Sequence, residues 1–399
     1  MIHIFNPDND LALANFTASY TPPSSAVKMA NDLAILPLWF APNGSRIMAE
    51  GDENKAFLEK TKSLFGIDTT LVSFSEIGNY PNEKIVPWGW NPALRKKLLE
   101  TNVSEKNVPT IDELKRLRDY SGRQHAVKIL RELKYESDFR EMLCGESHYF
   151  TDIDDVLKFL SSQSGNSVLK MPNSGSGKGL VWILGEVTDK QTDWVRRVLK
   201  TQKGIVAEPV LKKTRDFAME FCMKNGKAEF VGYSLFRSTT SGAYVGNELM
   251  CDAAIEKELT NYISAGILFQ IRELLQKKLP QFFPFYNGYV GVDMMICETP
   301  SGFRVQPCVE INMRMNMGVV AYKFRKRFVT QGASGRYVVD FFKKKNEALV
   351  FHQKAKRDFP LITENEKIKS GYVALTPVNE STNYHAYAIM AGDYVSSPH

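Results

Sequence analysis

No stretch of this chain stays apolar for as long as a membrane helix requires. A span needs about 20 consecutive apolar residues, and the runs here are short, as in Leu33-Ala34-Ile35-Leu36, so no membrane span is expected. The start, Met1-Ile2-His3-Ile4-Phe5-Asn6-Pro7-Asp8, lacks the basic and apolar regions of a secretory leader, and none is expected. Cysteine is scarce and scattered: Cys144, Cys222, Cys251, Cys297 and Cys308 form no CxxC pair. That excludes a disulfide framework and suits reduced thiols in a cytoplasm. Internal repeats and low-complexity tracts are missing, which excludes a solenoid. Two common nucleotide motifs are missing as well. No GxGxxG follows the first strand, Ile2 to Phe5, and a P-loop would need Gly at 172 and Ser or Thr at 179, where the chain has Pro172 and Gly179. A large excess of one charge is also lacking. The net +6 comes from many charges of both signs, which permits an anionic substrate without pointing to nucleic acid.

What is present is an ordinary globular composition, 43% hydrophobic and 24% charged over 399 residues, long enough for two or three domains. The first hundred residues read as a small α/β domain. A strand at Ile2 to Phe5 runs into a polar loop, Asn6 to Asp10, followed by a helix from Ala26, a helix from Asn54 to Leu64 and a strand at Thr69 to Ser73. Pro87-Trp88-Gly89-Trp90-Asn91-Pro92 is an aromatic turn before a helix from Ala93 to Glu100, with both tryptophans expected to pack rather than to stack on a ligand.

Beyond a linker at Asn107, the charges become informative. Arg123 opens a helix at Gln124 to Leu133, an end where the macrodipole favours an acid instead. The strand Ser167 to Lys170 leads into Asn173-Ser174-Gly175-Ser176-Gly177-Lys178-Gly179 and a second strand from Leu180. Closely spaced glycines and hydroxyls let backbone N–H groups turn toward phosphate oxygens, and Lys170 and Lys178 bracket the loop with positive charge. The strand Gly204 to Leu211 carries Glu208 next to Pro209, and its end is expected to offer backbone groups to a purine edge. Asp216 to Cys222 and Glu229 to Arg237 read as a hairpin turning at Asn225-Gly226. The loop Thr239 to Glu248 suits substrate binding. Apolar residues at intervals of three or four predict one long helix from Asp252 to Leu279, ended by Pro280 and Pro284.

A second hairpin follows. Gly288 to Cys297 is apolar except for Asp293, and Val309 to Arg314 alternates, with Glu310, Asn312 and Arg314 on one side. Taken alone, such a strand reads more simply as a solvated face. Two hard oxygen ligands and a guanidinium projecting together are also what a metal-bound triphosphate needs.

In their order these parts resemble the ATP-grasp superfamily. They are a strand lysine (Lys170), a Gly/Ser-rich lid, a hinge strand Ala207-Glu208-Pro209-Val210-Leu211, the strand from Arg215 to Glu220, a long helix, and the pair Asp293 and Glu310-Ile311-Asn312-Met313-Arg314. The resemblance covers roughly residues 115–325. It implies two α+β lobes clamping ATP, preceded by a small α/β domain. The expected segments are 1–106, an ATP-grasp domain at 107–330 with lobes near 107–211 and 212–330, and a basic C-terminal extension, 331–399, packed on the second lobe. It implies Arg123 and Lys170 on the phosphates, with Ser174, Gly175, Ser176, Gly177 and Lys178 as the lid. Glu208 and the backbone to Leu211 would hold adenine, and Asp216 the ribose. Asp293, Glu310 and Asn312 would hold one or two Mg²⁺, with Mn²⁺ able to substitute. Arg314 would stabilise the transferred phosphoryl group. Gly291 stands where several such ligases carry an arginine, and Arg237 or Arg314 would replace it.

The activity so implied is an ATP-dependent carboxylate–amine or carboxylate–thiol ligase, with ATP, a small-molecule carboxylate and a nucleophile as partners. A kinase acting on a small-molecule hydroxyl and a nucleotide-binding protein without catalysis are the alternatives. A homodimer is compatible with this reading. After Gly318 the chain is basic, through Lys323, Arg325, Lys326, Arg327 and Lys343-Lys344-Lys345. These are expected to be solvated helix faces rather than a nucleic-acid surface. Gly371 to Pro377 and Tyr384 to Met390 read as two strands, with His385 structural.

Overall fold

The computed structural model describes residues 1–175, 179–239 and 242–393. The chain forms two compact units. One comprises Met1–Leu114, Val245–Ala254 and Met315–His399; the other comprises Lys115–Tyr244 and Ile255–Arg314. These bounds run across the segments expected from the sequence, and residues 331–399 fall in the same unit as the N-terminal hundred.

In the first unit a parallel sheet has the order Thr69–Val72, Ser45–Met48, Ile2–Ile4, Ile85–Pro87. The strand Ile2–Ile4 is buried at every residue, as a parallel strand covered on both faces should be. The loop expected at Asn6 to Asp10 is shorter than foreseen, because a helix, Asn9–Asn15, begins inside it. The helix Pro92–Glu100 starts where the sequence says it should: proline occupies its first turn and the Asn91 side chain accepts from Leu94 N–H at 2.9 Å.

The same unit contains an antiparallel run of strands, Tyr244–Leu249, Ala333–Phe341, Tyr384–Asp393, Lys367–Ala374 and Ile362–Glu364. The two strands foreseen near the C-terminus are adjacent in it, with Gly371 opposite Met390. His385 is fully buried, consistent with a structural role. Trp39 explains why segments so far apart in sequence share one core. Its fully buried indole meets the rings of Phe65, Phe324 and Phe328 edge-on at 5.6, 5.4 and 5.2 Å, and its Nε1–H donates to the Leu375 carbonyl at 2.7 Å.

The second unit has two antiparallel sheets. The smaller runs His148–Phe150, Ile205–Pro209, Ser167–Lys170, Leu180–Ile183. The helices Ile153–Ser162 and Asp189–Gln202 pack on it through Val156, Leu160, Val195 and Val198 against Leu169, Ile205 and Ala207. The larger runs Gly302–Asn312, Gly288–Thr299, Lys213–Lys224, Lys227–Ser238. Its hairpin turn puts Asn225 and Gly226 at φ 52° and 71°, the left-handed pair that an Asn-Gly turn adopts cheaply. The helices Arg123–Glu136 and Ala265–Phe282 are tied together by the buried Lys278 ammonium, which donates to Glu132 at 2.5 Å and also to Glu136.

The helix expected to run unbroken from Asp252 to Leu279 is two helices, Asp252–Leu259 and Ala265–Phe282. Ser264 starts the second by accepting from Ile267 N–H at 3.4 Å. The apolar period hides the break because Ile255, Leu259, Ile263 and Ile267 are all buried across it. Pro280 does not end the second helix; it sits in the last turn, which closes with Phe283 N–H on Leu279 O at 2.9 Å. Among the described residues no helix is long and apolar enough to cross a membrane.

Trp39→Ala is expected to cost the first unit about 3–5 kcal/mol, since it opens a cavity and strands the Leu375 carbonyl. Denaturant unfolding checks this, and a midpoint unchanged from the parent would contradict the shared core.

Candidate functional site

The site forms on one face of the larger sheet of the second unit. Asp293 lies opposite Glu310 on one neighbour strand and Ala218 on the other, and Gly291 lies opposite Asn312 and Glu220. Directly paired residues share a face, as do residues two apart on a strand. Asp293, Glu310, Asn312 and Glu220 therefore stand together, with Arg314 next in the alternation. Asn312 Nδ2 donates to Asp293 Oδ2 at 3.1 Å, and Arg314 Nη2 donates to Asn312 Oδ1 at 3.2 Å. The ladder between the two arms shifts register between Asp293 and Met295. Opposite this shift is Pro307, which has no N–H to give to a ladder.

Three acids crowd this face. Burial, and then the charges of Glu310 and Glu220, hold the Asp293 carboxyl well above the usual carboxylate range, against the opposing pull of Asn312 and Arg314. Glu220, a residue with no motif around it, is 2% exposed and in the same row as Asn312. Its signal was there: in a strand it lies on the same face as Asp216, four residues earlier, in a segment otherwise apolar.

Arg123 reaches this face from the first turn of its helix. Its buried guanidinium donates through Nη2 to Glu310 Oε1 at 2.7 Å, and through Nη1 to the Met171 carbonyl and Ser174 Oγ, each at 2.6 Å. The mismatch between a cation and a helix N-terminus is thus met by a carboxylate and two neutral acceptors. Ser174 and Gly175 lie at the described start of the lid; Ser176, Gly177 and Lys178 lie outside the described residues. At the neck, Met171 N–H bonds to Gly179 O at 2.9 Å. Gly179 has φ 76°, and a Cβ there would come within 2.9 Å of the Ser174 side chain, so glycine is required.

Lys170 is buried on its strand and donates to Glu208 Oε2 at 2.6 Å, while Ser147 Oγ donates to Glu208 Oε1 at 2.9 Å. Ser147 had no marker in the sequence. The hinge backbone is less open than expected: Val210 N–H bonds to Asn166 O at 2.8 Å, and Leu211 O accepts from Lys213 N–H at 2.9 Å. The Cys308 thiol is buried close by. Burial drives its pKa far up, and the charges of Asp293, Glu208, Lys170 and Glu310 all act on it. Asp216 shares the face of Ala218 and Glu220 and is held by Lys213 Nζ at 2.5 Å. Arg237 is not brought to this face. It is exposed and stands between Phe236, which pairs with Asp216, and Ser238, whose hydroxyl also reaches Asp216.

Among the described residues no three or more His, Cys, Asp or Glu converge as a metal site. The set Asp293, Glu310 and Asn312 offers hard oxygens only. It fits Mg²⁺, which one or two carboxylates hold together with substrate phosphates rather than in an all-protein cage.

A parallel α/β sheet followed by a small and a large antiparallel sheet, each with helices, is the ATP-grasp fold, and the chain has it. No family model matches the chain, and no curated protein matches it. Solved structures do. Biotin carboxylase from Campylobacter jejuni, described as a β,γ-ATP complex, aligns at a TM-score of 0.52 and 9% identity over 98% of this chain and 88% of that one. N5-carboxyaminoimidazole synthetase from Staphylococcus aureus, with ADP, aligns at 0.47 and 12% identity over 98% and 93%. N5-carboxyaminoimidazole synthase from Aspergillus clavatus, with ADP and 5-aminoimidazole ribonucleotide, aligns at 0.48 and 11% over 87% and 93%.

A carboxyl whose pKa is raised on folding loses stability for the protein as pH rises from its unfolded value, about 3.9, through the folded one. Asp293→Asn removes that loss. Without metal or nucleotide the variant is expected to melt above the parent at pH 7–8, with the gap closing toward pH 4. A parent more stable than the variant at pH 8 would contradict the crowding of acids.

Proposed function

We propose that the chain is an ATP- and Mg²⁺-dependent ligase that activates a small-molecule carboxylate as an acyl phosphate for attack by an amine or another nucleophile. One observation carries this reading: Asp293, Glu310, Asn312 and Arg314 share one sheet face, with Arg123 clamped on Glu310. The fold shared with an enzyme described as a β,γ-ATP complex supports it.

In this reading the smaller sheet is the first lobe and the larger sheet the second. Asp293, Glu310 and Asn312 hold Mg²⁺, or Mn²⁺ in its place, which when bound neutralises charge on the triphosphate. Arg123 and Lys170 take the phosphates, exchanging their present partners Glu310 and Glu208 for phosphate oxygens. The lid from Ser174 to Lys178 excludes water. Glu208 and Leu211 hold adenine, and Asp216 the ribose. The substrate carboxylate oxygen attacks the γ-phosphorus and the bond to the departing ADP breaks. The nucleophile then attacks the acyl carbon and phosphate leaves. These steps need positioning and charge stabilisation rather than a protein nucleophile. Arg314 stabilises the transferred phosphoryl group and takes the place of an arginine at Gly291; Arg237, on the other side of its strand, has no part in this step.

With ATP, Mg²⁺, hydroxylamine and a pool of small carboxylates, ADP release accompanied by a hydroxamate is expected. ADP release with a phosphate monoester and no hydroxamate would make the protein a kinase. Glu310→Gln is expected to lower turnover by at least about 100-fold while the protein stays folded; full activity in that variant would remove the metal-site assignment. Lys170→Ala is expected to weaken nucleotide binding by roughly 10- to 100-fold in calorimetry, and equal affinity would exclude it from the phosphate site.

A further inference from the structure

The first unit holds a cavity of about 240 Å³ whose lining comes from the helices Asp52–Phe65 and Glu347–Asp358 and the strand Lys367–Ala374 with the chain beyond it. Its wall is largely apolar, with Trp39, Phe57, Leu64, Phe65 and Val373 among the lining residues. None of the residues assigned to nucleotide or metal belongs to it.

The polar groups around the cavity are mostly spent inside the protein. Thr61 Oγ1 donates to Phe57 O at 2.7 Å, and the Trp39 indole N–H is taken by Leu375 O. The Tyr372 hydroxyl sits between His352 Nδ1 at 2.7 Å and His385 Nε2 at 2.6 Å. Thr376 Oγ1 lies 3.3 Å from His385 Nδ1 and accepts from Ala386 N–H. Three groups remain: the ammonium groups of Lys60 and Lys356 and the second imidazole nitrogen of His352, all on lining residues. Neither lysine pairs with a carboxylate among the described residues. Burial first, and then the charges of Lys356 and Lys60, push the His352 pKa down to about 4. The imidazole is therefore neutral at pH 7, and both lysines lie near enough to act on it.

The chemistry selects the occupant. A cation would meet two like charges. A nucleobase needs donors and acceptors in a fixed pattern along its edge, and the lining side chains have left only two ammonium groups and one imidazole nitrogen to offer. A neutral hydrocarbon would make no use of the two ammonium groups at the rim. We propose that this cavity binds a small amphipathic carboxylate, with its apolar body against Trp39, Phe57 and Phe65 and its carboxylate between Lys60 and Lys356. The volume lies below the roughly 300–1,000 Å³ of drug-sized pockets, which restricts the body to about one ring or a medium acyl chain.

Calorimetric titration of the full chain with 3-phenylpropionate and octanoate, against their amides, tests this. The acids are expected to bind about tenfold more tightly than the amides, an extent fitting charge-assisted contacts. Both lysines are exposed, so the Lys60→Ala, Lys356→Ala double variant is expected to fold, verified by its melting, and to bind acid and amide equally. The doubly Arg-substituted protein should keep the preference. In a proton NMR titration the His352 pKa should rise when acid is bound, because an anion now faces it. No binding of either acid, equal binding of acid and amide by the parent, an acid preference that survives the double alanine variant, or an unmoved His352 pKa would each overturn the proposal.

Discussion

The candidate site depends on one guanidinium. Arg123 is buried at the positive end of its own helix, where a cation is disfavoured. What holds it there is a carboxylate, Glu310, together with a carbonyl and a hydroxyl from the segment that opens the lid. The dependence runs both ways. Glu310 shares its face with Asp293 and Glu220, and three acids so close are tolerated only with compensating charge. Arg123 supplies it at Glu310, and Arg314, bonded to Asn312, supplies it toward Asp293. The same side chain thus sets the position of the lid's first residues and the charge balance of the acidic face.

Lys170 and Glu208 repeat this arrangement in mirror image, a buried cation held by a buried acid on neighbouring strands. In each pair the partners are on separate elements, so each fixes strand against strand or helix against sheet. In each pair, too, an incoming polyanion would find a cation already desolvated and oriented, and would need only to displace a carboxylate. A preorganised positive group costs less to use at the moment of binding than a flexible surface lysine.

What could be read in the sequence was what local period and turn chemistry determine. The strand from Val309 to Arg314 was legible by its alternation, and the Asn225-Gly226 turn names its own geometry. The turn at Gly179 was legible as glycine, and it is constrained by φ and by Ser174. Features set by distant partners were not legible. Nothing near Arg123 in the chain announces Glu310. Glu220 was legible only as a second acid on the face of Asp216; the row it joins is completed by strands far away in sequence. The break at Thr260 to Ser264 was masked because both helices bury the same apolar series. The grouping of residues 315–399 with the first hundred rests on Trp39, whose partners come from both ends of the chain.

That last feature bears on how the protein is made. Trp39 is synthesised early, but two of the rings that enclose it, Phe324 and Phe328, and the carbonyl that takes its N–H, at Leu375, emerge from the ribosome only near the end. The intervening unit is completed first, at Arg314. A nascent chain therefore carries a large apolar indole without its enclosure through most of its translation. The second unit can be assembled before the first is able to close.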